Sequence, residues 1–194
     1  MKIAIIGGGI GGLTAALALL RQGFEVTVFE QAPELREVGA GVQVSANGTR
    51  ILFALGLQEA IMSVACEAGG KEIRLWNTGQ TWKLFDLGPQ SVARYGFPYI
   101  TIHRNDLHQV LAAGIRRIAP DAIKLGMRCE GIDQTATGVS IRFTGGTTVS
   151  ADIAIGADGV HSTVRDSLFG ADKPKFTGIV AWRGVIPAER LPTH

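Results

Sequence analysis

The stretch Lys2-Ile3-Ala4-Ile5-Ile6-Gly7-Gly8-Gly9-Ile10-Gly11-Gly12 decides the fold of this chain. Residues 2–6 form an apolar run of the length of a buried parallel strand, and residues 10–21, rich in Ala and Leu, follow at once as a helix. Strand, glycine turn and helix in that order make a phosphate cradle. Gly7 permits the tight turn, Gly9 removes a side chain that would keep a pyrophosphate from the backbone, and Gly12 lets the helix pack closely on the sheet. The anion then rests on the helix N-terminus, where unpaired N–H groups and the dipole favour negative charge.

A second strand is expected over residues 25–29, after Gly23 as a helix-terminating glycine, and it delivers Glu30. An acid about twenty residues beyond the glycines is placed to accept hydrogen bonds from an adenosine ribose. Turn, flanking strands and acid together point to a dinucleotide. The absence of a basic residue beside Glu30 argues against a 2′-phosphate at this site.

The rest of the composition narrows the class. At 194 residues and 46% hydrophobic content, the chain can build one large domain or two small ones. A net charge of +2 with scattered arginines implies no nucleic-acid partner. Cys66 and Cys129 stand alone, without ligand-spaced histidines, so neither a disulfide framework nor a metal site is expected and a reducing cytoplasm fits best. The opening twenty residues imitate a secretory signal, but the dinucleotide reading accounts for more of them, so export is rejected. No apolar run reaches the length of a membrane span.

Further along, Ser45 is a candidate N-cap for a helix to residue 55, with a short helix over 57–65. Residues 72–76 and 81–85 alternate polar and apolar around a turn at 77–80, the pattern of an antiparallel hairpin. A strand over 98–103 leads into a helix over 105–118 that Pro120 terminates. Residues 124–133 and 139–143 suggest strands of a meander, with 144–147 as the turn into a third. A buried strand over 151–155 delivers Asp158-Gly159, and 176–186 returns to strand character.

Asp158-Gly159-Val160-His161-Ser162-Thr163-Val164-Arg165 resembles the DG motif of the single-component FAD-dependent aromatic monooxygenases, the group of p-hydroxybenzoate and salicylate hydroxylases. Residues 37–48 are similar to the loop beside the flavin in the salicylate hydroxylase branch. His103-Arg104-Asn105-Asp106-Leu107 is similar to the strand-to-helix junction whose arginine reaches the flavin, and residues 180–187 to a strand of the substrate sheet. The resemblance covers essentially the whole chain. It implies an α/β fold: a Rossmann-like FAD-binding domain with a partly present antiparallel substrate-binding sheet. Residues 1–70 and 100–173 would be the two FAD-binding segments, 71–99 a substrate-sheet insertion, and 174–194 a strand of a truncated substrate domain.

By the same resemblance, Gly7, Gly9 and Gly12 would line the FAD pyrophosphate, Glu30 and Gln31 the adenosine side, and Arg36, Gly41 and Val42 the flavin side. Arg104 would reach the ribityl-phosphate region. Arg128 would join the cofactor site, and Asp158 would sit near pyrophosphate and nicotinamide. Gln31 departs from the arginine that many relatives carry beside the acid, so a cation next to the adenosine is missing. Arg183 is the one catalytic candidate, able to pair with a substrate carboxylate or to stabilise flavin charge; an exposed strand arginine is the alternative. His103 reads as a strand-end residue, His161 as one that caps or packs its helix, and Trp76, Trp82 and Trp182 as sheet packing.

The implied activity is hydroxylation of a phenolic or aromatic carboxylate, salicylate-like, through a flavin C4a-hydroperoxide, with NADH or NADPH as reductant and O₂ as co-substrate. No Gly-Asp fingerprint of the ribityl site occurs, so the chain is expected to be the N-terminal half of such an enzyme, without the C-terminal half needed for turnover, and with oligomerisation left open. Alternatives are a relative acting on a polyene, quinolone or purine, and a cofactor-binding module without turnover. A nicotinamide-dependent dehydrogenase would explain residues 7–30 but neither the DG segment nor the hairpin.

Overall fold

The computed structural model describes residues 1–35, 41–180 and 186–190. Its centre is the predicted unit: β1 (Lys2–Ile6), α1 (Ile10–Arg21) and β2 (Glu25–Phe29). After α1 the chain reverses at Gly23, whose φ of 84° is a left-handed conformation that glycine adopts without strain. A covering layer follows, with β3 (Gly41–Val44), α2 (Ala46–Ala54), α3 (Gln58–Met62) and β4 (Cys66–Glu67). The hairpin β5 (Gly70–Arg74) and β6 (Thr81–Asp86) comes next, then α4 (Pro89–Tyr95), β7 (Ile100–His103) and α5 (Arg104–Ile118). The remainder is β8 (Ile123–Lys124), β9 (Cys129–Thr135), β10 (Gly138–Phe143), β11 (Thr148–Ala151), β12 (Ile153–Gly156) and α6 (Thr163–Phe169).

Four strands, in the order β12-β1-β2-β8, make a parallel sheet. Side chains of a strand alternate between faces, and β1 divides its residues between two cores accordingly. Ile3 and Ile5 join Leu13 and Leu17 of α1 and Leu107, Leu111 and Ile115 of α5 on one face. Ala4 and Ile6 join Phe29, Ile141, Phe143 and Val164 on the other, where the antiparallel meander β9-β10-β11 and α6 pack. Phe29 and Phe143 meet there with ring centroids 4.8 Å apart. The sheet is therefore buried between a helical layer and a β layer. Gly114 lets α5 approach closely: a Cβ there would come to 3.1 Å from Leu17 and Leu57.

Several local expectations are corrected. The segment expected as one strand over 124–133 is split, because Lys124 pairs with Phe29 in the parallel sheet while Cys129 begins the meander. The strand expected as buried over 151–155 is two strands broken at Asp152. Its second half is a sheet edge with Ile153 41% exposed, since among the described residues only β1 flanks it. The helix expected over 57–65 is confined to Gln58–Met62, and Cys66–Glu67 pairs with β7 instead.

The strand expected over 176–186 is not formed by its described residues. Residues 174–180 are irregular, with Phe176, Ile179 and Val180 exposed, because β-rich composition supplies no ladder partner. Trp76 is no packing residue: it lies in the turn of the β5-β6 hairpin at 94% exposure, and among the described residues no layer covers that hairpin, whose strands are exposed throughout. Trp82 is 44% exposed, and Trp182 lies outside the described residues. Among the described residues, no helix is long and apolar enough to cross a membrane.

Candidate functional site

The site is built at the carboxyl ends of the parallel strands, where open α/β sheets place their ligands. Gly7 N–H donates to Phe29 O at 2.8 Å and Ala157 N–H to Ile6 O at 2.7 Å, so the glycine turn is held between the ends of β2 and β12. Gly7 has φ of 109°, and a Cβ on it would run into the Ala157 backbone. A Cβ on Gly12 would strike the Gly7 carbonyl oxygen. These two positions are sterically glycine. Gly9 is different: its backbone is ordinary extended chain, and a Cβ would meet no atom of the described residues within 4 Å, so its missing side chain leaves open space there.

Gly9 is also the N-cap of α1, and no side chain caps that helix. Its first turn carries no acid. Uncapped amides facing open space, with the positive end of the dipole behind them, suit a phosphate.

A cavity of about 610 Å³ lies against this turn. Seven expected residues line it: Gly7, Gly9, Glu30, Gln31, Arg104, Arg128 and Asp158. Gly12 stands behind the cavity as a packing glycine. Gly41 and Val42 lie on β3, opposite His103 and Ile102, which sets Gly41 next to the strand end that delivers Arg104. Arg36 and Arg183 fall outside the described residues.

Glu30 is half-buried, and its carboxylate accepts two backbone donors: Gly8 N–H to Oε2 at 2.6 Å and Ala32 N–H to Oε1 at 2.8 Å. These bonds fix its orientation on the cavity wall while leaving lone pairs on both oxygens. Asp158 also works internally. It accepts from Ser162 Oγ at 2.5 Å and from Val164 N–H at 3.1 Å, while Ser162 Oγ accepts Arg165 N–H at 2.9 Å. Ser162, not His161, is therefore the group that caps α6; His161 is exposed on the cavity rim.

Two further groups were not expected at the site. Cys129 lines the cavity, and burial pushes its thiol above the ordinary 9.0, with the Asp158 charge acting in the same direction. His108 is 3% exposed, and its Nε2 lies 2.6 Å from Gly8 O. The signal was present: a histidine four residues after Arg104, within the apolar stripe Leu107, Leu111 and Ile115 of α5. Among the described residues, no group of three or more His, Cys, Asp or Glu side chains could hold a metal ion.

Residues 1–193 match the family described as FAD binding domain. The chain is 42% identical over 192 residues to 3-amino-4-hydroxybenzoate 2-monooxygenase of Streptomyces platensis, covering 99% of this chain and 48% of that protein. It is 37% identical over 191 residues to 6-hydroxynicotinate 3-monooxygenase of Pseudomonas fluorescens, covering 98% and 49%. Klebsiella pneumoniae HpxO, in a crystal structure complexed with FAD and uric acid, superposes with a TM-score of 0.74 at 30% identity, over 86% of this chain and 41% of that one. The chain thus spans about half the length of the curated relatives it matches.

Proposed function

The chain belongs to the FAD binding domain family, and from that premise we propose that it is the cofactor-binding portion of a monooxygenase that hydroxylates an aromatic ring bearing a hydroxyl and a carboxylate. The observation that carries the reading is the convergence of the Gly9 opening, the uncapped α1 N-terminus and the Glu30 carboxylate on one cavity. Gly7, Gly9 and the amides of α1 would hold the pyrophosphate, with Gly12 keeping α1 close. Glu30 would accept the adenosine ribose hydroxyls, with Gln31 and Arg128 on the adenosine side. Arg104 would supply a planar fork to phosphate or ribityl oxygens, and Asp158 would hold α6 and its loop against the cofactor. Arg36, Gly41 and Val42 would border the flavin.

When bound, FAD supplies the two-electron exchange and oxygen activation that no side chain can. The net reaction consumes ring C–H, O₂, NAD(P)H and a proton, and gives ring C–OH, NAD(P)⁺ and water. The protein's part is to orient the ring, keep water out and favour the phenolate. Arg183 would pair with the substrate carboxylate, and residues 71–99 and 174–194 would contribute to the substrate-facing sheet. The relatives' names support the substrate class: one acts on an aminohydroxybenzoate, the other on a hydroxynicotinate.

The test is oxygen uptake, with NADH or NADPH and a panel of hydroxybenzoates and hydroxynicotinates, by an FAD-loaded protein that carries this portion at the full length of its relatives. Substrate-stimulated uptake with one ¹⁸O atom from O₂ in the product is expected. NAD(P)H oxidation that no ring substrate stimulates would contradict the reading.

A further inference from the structure

Gly8 is buried, so both of its backbone polar groups require partners within the protein. Side chains from two different elements provide them. Its N–H donates to Glu30 Oε2 at 2.6 Å, and its carbonyl oxygen lies 2.6 Å from His108 Nε2. A carbonyl can only accept, so Nε2 carries the imidazole proton. Nδ1 of His108 is buried and has no partner among the described residues. The ring is thus committed to one hydrogen bond, and that bond goes to the centre of the glycine turn.

We infer that His108 is a positioning residue for the dinucleotide: it sets the Gly8–Gly9 peptide plane so that the Gly9 N–H faces the phosphate. This rests on the FAD-binding reading. The Gly8–Gly9 peptide is trans, and in a trans peptide the C=O and N–H point to opposite sides. Anchoring the Gly8 oxygen on α5 turns the Gly9 N–H away from α5, on the side where Gly9 borders the cavity. Glycine-rich turns have many accessible conformations, and without this anchor the Gly8–Gly9 plane can rotate and swing the N–H off the anion. Glu30 fixes the preceding plane, so the two side chains together hold successive peptides of the cradle. The same bond ties α5, which begins at Arg104, to the turn.

The test titrates FAD fluorescence quenching with the unsubstituted chain, His108→Leu and His108→Gln. All are measured at a temperature where circular dichroism shows each variant folded. Glutamine keeps a donor near the Nε2 position; leucine keeps only bulk. His108→Leu is expected to weaken FAD binding roughly tenfold, and His108→Gln to stay within about threefold of the unsubstituted chain. Imidazole ¹⁵N spectra of the unsubstituted chain, which need neither ligand nor variant, are expected to show His108 as the Nε2–H tautomer. An Nδ1–H tautomer, leucine binding as tight as histidine, or a folded glutamine variant that fails to restore binding would each overturn the inference. If His108→Leu does not fold, the glutamine variant and the tautomer decide. No FAD binding by the unsubstituted chain overturns the FAD reading itself, and this inference with it.

Discussion

Glu30 Oε2 accepts the Gly8 N–H at 2.6 Å, so the acid at the end of β2 holds the glycine turn at the end of β1. The carboxylate expected to receive a ribose is also a structural clasp, and its second oxygen holds Ala32. Glu30→Gln should therefore affect both roles. The amide can accept only through its single carbonyl oxygen, so one of the two N–H groups loses its acceptor. Hydrogen bonds to charged groups are worth about 1.5–3 kcal/mol. We expect a loss of stability within that range by urea denaturation, together with weaker FAD binding.

The glycines of the turn should separate by substitution. Gly12→Ala forces a Cβ onto the Gly7 carbonyl, and Gly7→Ala adds strain at φ of 109°. Each should cost on the order of 2–4 kcal/mol. Gly9→Ala meets no atom of the described residues, so its urea midpoint should barely move, while its FAD affinity should fall at least roughly tenfold because the new methyl would fill the place proposed for the phosphate. Equal loss of stability across the three would contradict the geometry.

Asp158→Ala removes the acceptor for both Ser162 Oγ and Val164 N–H. Loss of a helix cap of this kind costs about 1 kcal/mol, and Ser162→Ala should match it. Because Ser162 and Asp158 belong to one network, the double variant should lose less than the sum of the single losses. An additive double-mutant cycle would show the two acting separately.

Cys129 gives a pH dependence with a definite sign. Burial raises its folded-state thiol above 9.0, so the folded protein keeps a proton that the unfolded chain releases. Its contribution is complete below pH 9.0 and is lost as pH climbs from there through the folded value. Urea midpoints taken through that window should fall more steeply for the unsubstituted chain than for Cys129→Ala. Under native conditions Ellman's reagent should modify exposed Cys66 quickly and buried Cys129 slowly.

The parts of this molecule that the sequence made plain are those fixed by near neighbours. β1, the glycine turn, α1, Gly23 and Glu30 fall within one continuous stretch, and each residue type there answers a local steric or hydrogen-bonding demand. The hairpin at residues 70–86 was legible from its alternation and turn for the same reason. What escaped depends on distant partners. His108 meets Gly8 across a hundred residues, and a histidine in a helix does not announce which turn it will touch. Residues 176–180 have the composition of a strand, but composition cannot supply the neighbour a strand needs. Trp76 likewise has the character of a packing residue and lies in an uncovered hairpin turn.

The central claim is that the cavity beside Gly9 and Glu30 recognises the adenosine diphosphate half of FAD. The measurement that tests it most directly is a fluorescence titration of the purified chain with FAD and with FMN, followed by competition with ADP. Saturable binding of FAD that ADP displaces, with FMN bound far more weakly, is the predicted result. FMN bound as tightly as FAD, or FAD binding indifferent to ADP, would contradict it.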